Sequence, residues 1–282
     1  MNPLSKWFSL VRFSHTFFAL PFALAGWIAA SATGPSWRTL AGVLVCMVTA
    51  RNAAMAFNRL IDRKFDAENP RTRMRDIPAG RISPSEAGWF VALNAVVFVA
   101  GAWFLNPLCF ALSPVALALV LGYSLAKRFT WLCHAWLGLA IGISPVAAGI
   151  AASGRFQSIP VWLGAILLTW LFGFDIVYAT QDEQYDRTHG LRSVPVLLGR
   201  RGALRLAAGL HSLTLAGVIG LGLHAHWGVV WSAVGAVIGV ILVWVHVGRK
   251  DDDLSTQSGF FRANVVLSFL VLAGVAWETF VR

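Results

Sequence analysis

The stretch Leu40-Ala-Gly-Val-Leu-Val-Cys-Met-Val-Thr-Ala-Arg51-Asn-Ala-Ala-Met-Ala-Phe57 runs directly into Asn58-Arg-Leu-Ile-Asp62-Arg-Lys-Phe-Asp66. The first part carries a single charge, Arg51, over a length that reaches across most of a ~30 Å hydrocarbon core as an α-helix. The second part places an amide and two carboxylates at every fourth position, which predicts one shared helix face. An apolar span ending in an acidic motif is therefore the unit to look for elsewhere in the chain. Further runs with few charges fall at 17–32, 87–105, 107–124, 132–152, 160–181, 203–224, 227–247 and 263–281. With 38–57 they predict an all-α, polytopic membrane bundle of nine transmembrane helices, with residues 1–282 forming a single domain. Composition agrees, because the chain is 57% hydrophobic and 13% charged, against about 25% charged residues in soluble domains. Lys6 and Arg12 precede the run at 17–32 as they would in a secretory signal, but Pro21 interrupts it and comparable runs follow, so it reads as a first membrane helix.

Charge is distributed as sharply as hydropathy. If the N-terminus is cytoplasmic, 19 of the 23 Lys and Arg residues fall on that side, three (Arg38, Arg155 and Arg282) fall on the other, and Arg51 lies within a helix. The positive-inside rule then predicts a cytoplasmic N-terminus, with the loops after the second, fourth and sixth helices also cytoplasmic. The net charge of +10 thus reflects topology and an anionic substrate, and no nucleic-acid partner is expected. Cys46, Cys109 and Cys133 lack the paired short spacing of a zinc or redox motif and read as packing residues.

Twelve of the thirteen acidic residues lie in two cytoplasmic loops with their flanking helix ends, or in the run Asp251–Asp253; only Glu278 lies elsewhere. The second loop begins Asp175-Ile-Val-Tyr178-Ala-Thr-Gln-Asp182-Glu-Gln-Tyr-Asp186. At 100° per residue its three aspartates fall within roughly 40° of one stripe. Asp175 sits inside the apolar run, where an ionisable side chain is costly and marks a functional candidate. Both loops share an order of acidic motif, arginines, proline and Gly-Arg, which suggests a weak internal repeat whose copies face each other. Oxygen-rich motifs of this kind suit magnesium, which takes hard oxygen ligands and completes its octahedron with water and substrate phosphates. The metal candidates are Asn58, Asp62, Asp66, Asp182 and Asp186.

The Asn-x-x-x-Asp-x-x-x-Asp at 58–66 and the Asp-x-x-Tyr-x-x-x-Asp-x-x-x-Asp at 175–186 resemble the paired motifs of the UbiA superfamily of intramembrane aromatic prenyltransferases. Phe57-Asn-Arg-Leu-Ile-Asp, Asn69-Pro-Arg-Thr-Arg and Pro78-Ala-Gly-Arg resemble its bacterial 4-hydroxybenzoate polyprenyltransferase-like branch, part of which is associated with menaquinone synthesis through futalosine. Residue 59 is Arg, where many ubiquinone-pathway members have Asp. The resemblance implies magnesium-dependent transfer of a prenyl group from its diphosphate to an aromatic acid such as 4-hydroxybenzoate, or to a naphthoate-type acceptor, in quinone biosynthesis at the inner membrane.

Breaking an allylic C–O bond leaves a pyrophosphate whose developing charge needs magnesium and cationic side chains. The candidate clamps are Arg71, Arg73 and Arg75, Lys127 and Arg128, and Arg192, and the resemblance singles out Arg71 and Lys127. Arg51 lies seven residues before Asn58, two turns deeper on the same face; a buried guanidinium needs an anion, either the acceptor carboxylate or Asp175. Asp175 is the candidate to orient or deprotonate the acceptor, or to take the ring proton. Phe57, Tyr123, Phe174 and Tyr178 can supply an aromatic wall for the prenyl cation. His134, His224 and His226 show no ligand spacing with one another and read as interfacial or packing residues. A transporter would also use intramembrane Arg51 and Asp175, but it would spread polar groups through the membrane depth, whereas here they gather at one face.

The orientation is testable in a background lacking the three native cysteines. Single cysteines at 153–159 should react with an impermeant thiol reagent in intact cells, and those at 67–86 only after the membrane is opened; external labelling within 67–86 would reverse the topology.

Overall fold

The computed structural model describes residues 7, 9–11, 19–31, 34, 36–70, 72–247 and 254–281. From Ala19 onward the described helices are α1 (Ala19–Ala30), α2 (Trp37–Ile61), α3 (Arg63–Glu68), α4 (Pro84–Leu105), α5 (Pro107–Ala126), α6 (Cys133–Ser153), α7 (Ser158–Ala179), α8 (Glu183–Thr188), α9 (Val194–His224), α10 (Val229–Val247) and α11 (Leu254–Phe280). Eight of them are long and apolar enough to span a membrane. The ninth predicted span is represented by α1, which covers 12 described residues.

Local sequence explains where several helices begin. Ser83 opens α4 with a capping box, its hydroxyl accepting from the Glu86 amide while the Glu86 carboxylate accepts from the Ser83 amide, and Pro84 follows at the first position. Glu86 is thus a cap residue, distinct from the acidic motif before it. Asn106 opens α5 by accepting from the Cys109 amide, and its own amide donates to the Ile150 carbonyl, tying the start of α5 to the end of α6. The helix predicted at 203–224 is preceded by a short helical segment from Val194, and the two are separated at Gly199, whose φ of 65° and ψ of 167° are non-helical.

In the bundle, α6 packs between α5 and α7, α9 packs on α7, and α1 is covered by α6, α7 and α11. The largest buried cluster surrounds Trp170, which is fully buried against Phe22 and neighbours including Leu167, Ile238 and Leu267. Its indole nitrogen donates to Asn264 Oδ1 at 2.7 Å. By contrast, Trp37 and Trp89 are exposed, as an interfacial belt requires.

The contact that positions the site is the antiparallel crossing of α6 on α7. A Cβ on Gly142 would stand 3.0 Å from the Gly164 carbonyl oxygen, one on Gly164 would stand 2.8 Å from that of Gly142, and one on Gly138 would stand 2.7 Å from the Leu168 carbonyl oxygen. The backbones meet this closely because the spacing Gly138-x-x-x-Gly142 removes side chains from one stripe, and small residues are what let membrane helices approach. Replacing Gly142 with Leu forces the helices apart and should cost about 1–3 kcal/mol. This is to be read as a lowered unfolding temperature in detergent, and an unchanged temperature would show that the seam is not tightly packed.

Candidate active site

Both acidic motifs have the same local form, and it departs from the single continuous helix face expected. α2 ends at Ile61, and Asp62, with φ −86° and ψ 5°, both closes α2 and opens the short α3 that carries Asp66. The i→i−4 bonds nevertheless continue across the bend, from the Asp62 amide to the Asn58 carbonyl at 2.9 Å and from the Asp66 amide to the Asp62 carbonyl at 2.8 Å. In the second motif α7 ends at Ala179, the chain tightens through Thr180 and Gln181, and Asp182 opens the short α8 that carries Asp186. Aspartate favours such helix ends over helix interiors because its side chain competes for nearby backbone groups.

The two motifs face one another across the loop between α5 and α6. Arg128 Nη2 contacts Asp62 Oδ1 at 3.0 Å, and Lys127 Nζ stands 3.7 Å from Asp186 Oδ1. Adjacent cations on one loop thus hold one carboxylate from each motif. The Arg128 guanidinium also lies over the Phe65 ring, 5.4 Å from its centre. On the far side, the Tyr185 hydroxyl donates to the Phe65 carbonyl at 2.8 Å, linking α8 to α3. Asn58 Nδ2 donates to Asp62 Oδ2 at 3.1 Å, so the amide orients the carboxylate beside it.

Asp62, Asp66 and Asp186 are all buried. Burial pushes the Asp62 and Asp186 carboxyls above the usual carboxylate range, and Lys127 opposes this at both. Asp186 Oδ1 has no hydrogen-bond partner, which leaves a buried carboxylate oxygen suited to a cation. Asp66 is held differently, with both oxygens taken by Arg75 Nη1 at 2.7 and 2.9 Å. Among the described residues, no three His, Cys, Asp or Glu side chains form a ready-made metal cage. The donor set therefore fits a hard cation that draws its remaining ligands from phosphate and water, as magnesium commonly does.

The remaining sequence candidates are distributed as follows. Arg73 is exposed on the loop after α3, Asp182 is half-buried at the start of α8, and Arg71 lies outside the described residues. Arg192 is used to fasten the loop, its amide donating to the Lys127 carbonyl at 2.7 Å and its Nη1 to the Phe129 carbonyl at 2.6 Å. Arg51 is half-buried in α2, where its Nη1 donates to the Val11 carbonyl at 3.0 Å. Tyr123 is half-buried near the end of α5. Tyr178, Phe57 and Phe174 are half-buried on the helix ends that carry the motifs.

One residue was misread from sequence. His134, expected to be an interfacial or packing residue, is buried and its Nδ1 lies 2.7 Å from Asp175 Oδ2. The pairing joins residues 41 apart through the α6–α7 crossing, which no local spacing records. A signal was present even so, because His134, Gly138 and Gly142 recur at every fourth position and mark the face of α6 that meets α7.

A model of the UbiA prenyltransferase family matches residues 19–275. The chain is 32% identical over 234 residues to a 4-hydroxybenzoate octaprenyltransferase of Vibrio atlanticus (strain LGP32), covering 82% of each chain. Its structure resembles the apo structure of a UbiA homolog from Aeropyrum pernix K1, with a TM-score of 0.82 and 30% identity over 93% of this chain and 96% of that one. It also shares the fold of a UbiA homolog from Archaeoglobus fulgidus bound to GPP and Mg2+, with a TM-score of 0.74 and 20% identity over 96% of this chain and 99% of that one. With paired acidic motifs bridged by a cationic loop at one end of a membrane-spanning helical bundle, this chain belongs to the UbiA prenyltransferase family.

Proposed function

We propose that this prenyltransferase transfers a prenyl group from a polyprenyl diphosphate to an aromatic acid of the 4-hydroxybenzoate type, in quinone biosynthesis. The observation that carries the reading is the junction at Lys127 and Arg128, whose cations each hold a carboxylate of a different acidic motif. The curated relative named for 4-hydroxybenzoate supports the acceptor class. The distribution of basic residues supports an inner-membrane protein with its N-terminus and site-bearing loops in the cytoplasm.

Asp62 and Asp186 are the central metal ligands in this reading, with Asn58, Asp66 and Asp182 completing the two motifs. Magnesium held there supplies the positive charge that stabilises the departing diphosphate. Arg128 and Lys127, beside these carboxylates, would bind the phosphate oxygens, with Arg71 and Arg73 as further cationic contacts. The allylic C–O bond breaks with its electron pair leaving on the diphosphate. Phe57, Tyr123, Phe174 and Tyr178 offer π faces to the allylic cation. The acceptor ring carbon then bonds to the cation, and Asp175 takes the ring proton as aromaticity returns. Arg51 binds the acceptor carboxylate, below the motif on the same helix.

The defining experiment incubates purified protein, magnesium and geranyl diphosphate separately with 4-hydroxybenzoate and with 1,4-dihydroxy-6-naphthoate. A prenylated 4-hydroxybenzoate mass is expected; product from the naphthoate alone would move the acceptor assignment, and product from neither would overturn the function. Asp62→Ala and Asp186→Ala should each abolish turnover in protein that remains folded, and near-normal magnesium-dependent activity in either would remove that ligand assignment. Arg51→Ala should raise the acceptor KM or lower turnover while diphosphate affinity stays unchanged. A lost charge-assisted contact of roughly 1.5–3 kcal/mol corresponds to about one to two decades in kcat/KM. A folded Arg51→Ala enzyme with unchanged acceptor kinetics would sink the carboxylate assignment.

A further inference from the structure

Asp175 is an ionisable group set four residues before the end of a membrane-spanning helix, and its surroundings decide whether it can serve the acceptor. Its carboxylate hydrogen-bonds His134, the second residue of α6, at 2.7 Å. An ionised carboxylate only accepts, so Nδ1 carries the proton and donates it. His134 Nε2 is buried without a hydrogen-bond partner, which suits the bare lone pair of the Nδ1–H tautomer better than a stranded N–H. The imidazole sits on the stripe that continues through Gly138 and Gly142, where the two backbones are in contact.

We infer that His134 is a positioning residue that fixes the Asp175 carboxylate through Oδ2, leaving Oδ1 aimed at the acceptor. This rests on the function proposed above for Asp175 and adds the group through which the bundle controls it. His134 does not touch the substrate. It fixes the rotamer of Asp175, in the way that a base is oriented by a third group in other enzymes.

Wild type, His134→Asn, His134→Gln, His134→Leu and Asp175→Asn are purified in detergent and assayed with geranyl diphosphate, magnesium and 4-hydroxybenzoate, with unfolding temperatures measured alongside. Asn places its amide nitrogen where Nδ1 sits, whereas Gln carries its amide one bond further out. Expected are a kcat lowered at least about 30-fold in the Leu and Gln variants with the diphosphate KM within about twofold, and a kcat within about fivefold of wild type for Asn. Wild-type kcat in folded His134→Leu, or an Asn variant as impaired as Leu, would overturn the inference. Should Leu fail to fold, the Asn and Gln pair decides the question by the same criterion. The contact has a second readout independent of turnover, the infrared carboxylate band identified by the difference between wild type and Asp175→Asn. That band should shift in His134→Gln and stay in place in His134→Asn, and a band insensitive to both contradicts the contact. A wild-type protein that prenylates neither acceptor while showing the expected band behaviour would overturn the proposed function and leave the positioning intact.

Discussion

The site depends on how closely α6 can lie against α7. Water drives little helix association inside a bilayer, so packing contact has to hold the helices together, and Gly138, Gly142 and Gly164 provide it by bringing backbone onto backbone. That crossing fixes what happens one turn beyond it. His134 arrives beside Asp175, and the loop entering α6 carries Lys127 and Arg128 to the gap between the acidic motifs. A wider crossing would part the histidine from its aspartate and shift the cations relative to the carboxylates.

The electrostatics of that gap follow from burial. Carboxylates such as Asp62 and Asp186 are costly to bury without compensation, and the lysine and arginine of a single loop supply it. The compensation is incomplete, because Asp186 keeps one oxygen without a hydrogen bond. A site in this condition has much to gain from a divalent cation accompanied by a polyanionic substrate, since every charge then finds an opposite. Asp66 is held instead within its own loop, with Arg75 bonding both of its oxygens.

The features legible in the sequence were those recorded locally. Apolar runs of membrane-spanning length give the helices, because in a bilayer the backbone must satisfy itself within each segment. The four-residue spacing of Asn58, Asp62 and Asp66 marks the first acidic motif, although the bends at Asp62 and near Asp182 show that both motifs sit on helix ends rather than within continuous helices. The kink at Gly199 and the pairing of His134 with Asp175 were not legible. The first depends on one residue's backbone angle, and the second on a tertiary crossing between segments 41 residues apart. Arg192, a cation near an acidic motif, also fastens the adjacent loop through the Phe129 carbonyl, a contact that depends on tertiary structure.

Under the proposed function the two acidic motifs bind magnesium jointly, with the diphosphate bridging them. Electron paramagnetic resonance of bound Mn2+, titrated with and without a non-cleavable geranyl thiodiphosphate, tests it in wild type, Asp62→Ala and Asp186→Ala. The expected result is manganese binding that strengthens sharply with the diphosphate analogue and is lost when either aspartate is removed. Tight binding without the analogue, surviving removal of one motif's aspartate, would show two independent sites and contradict the account.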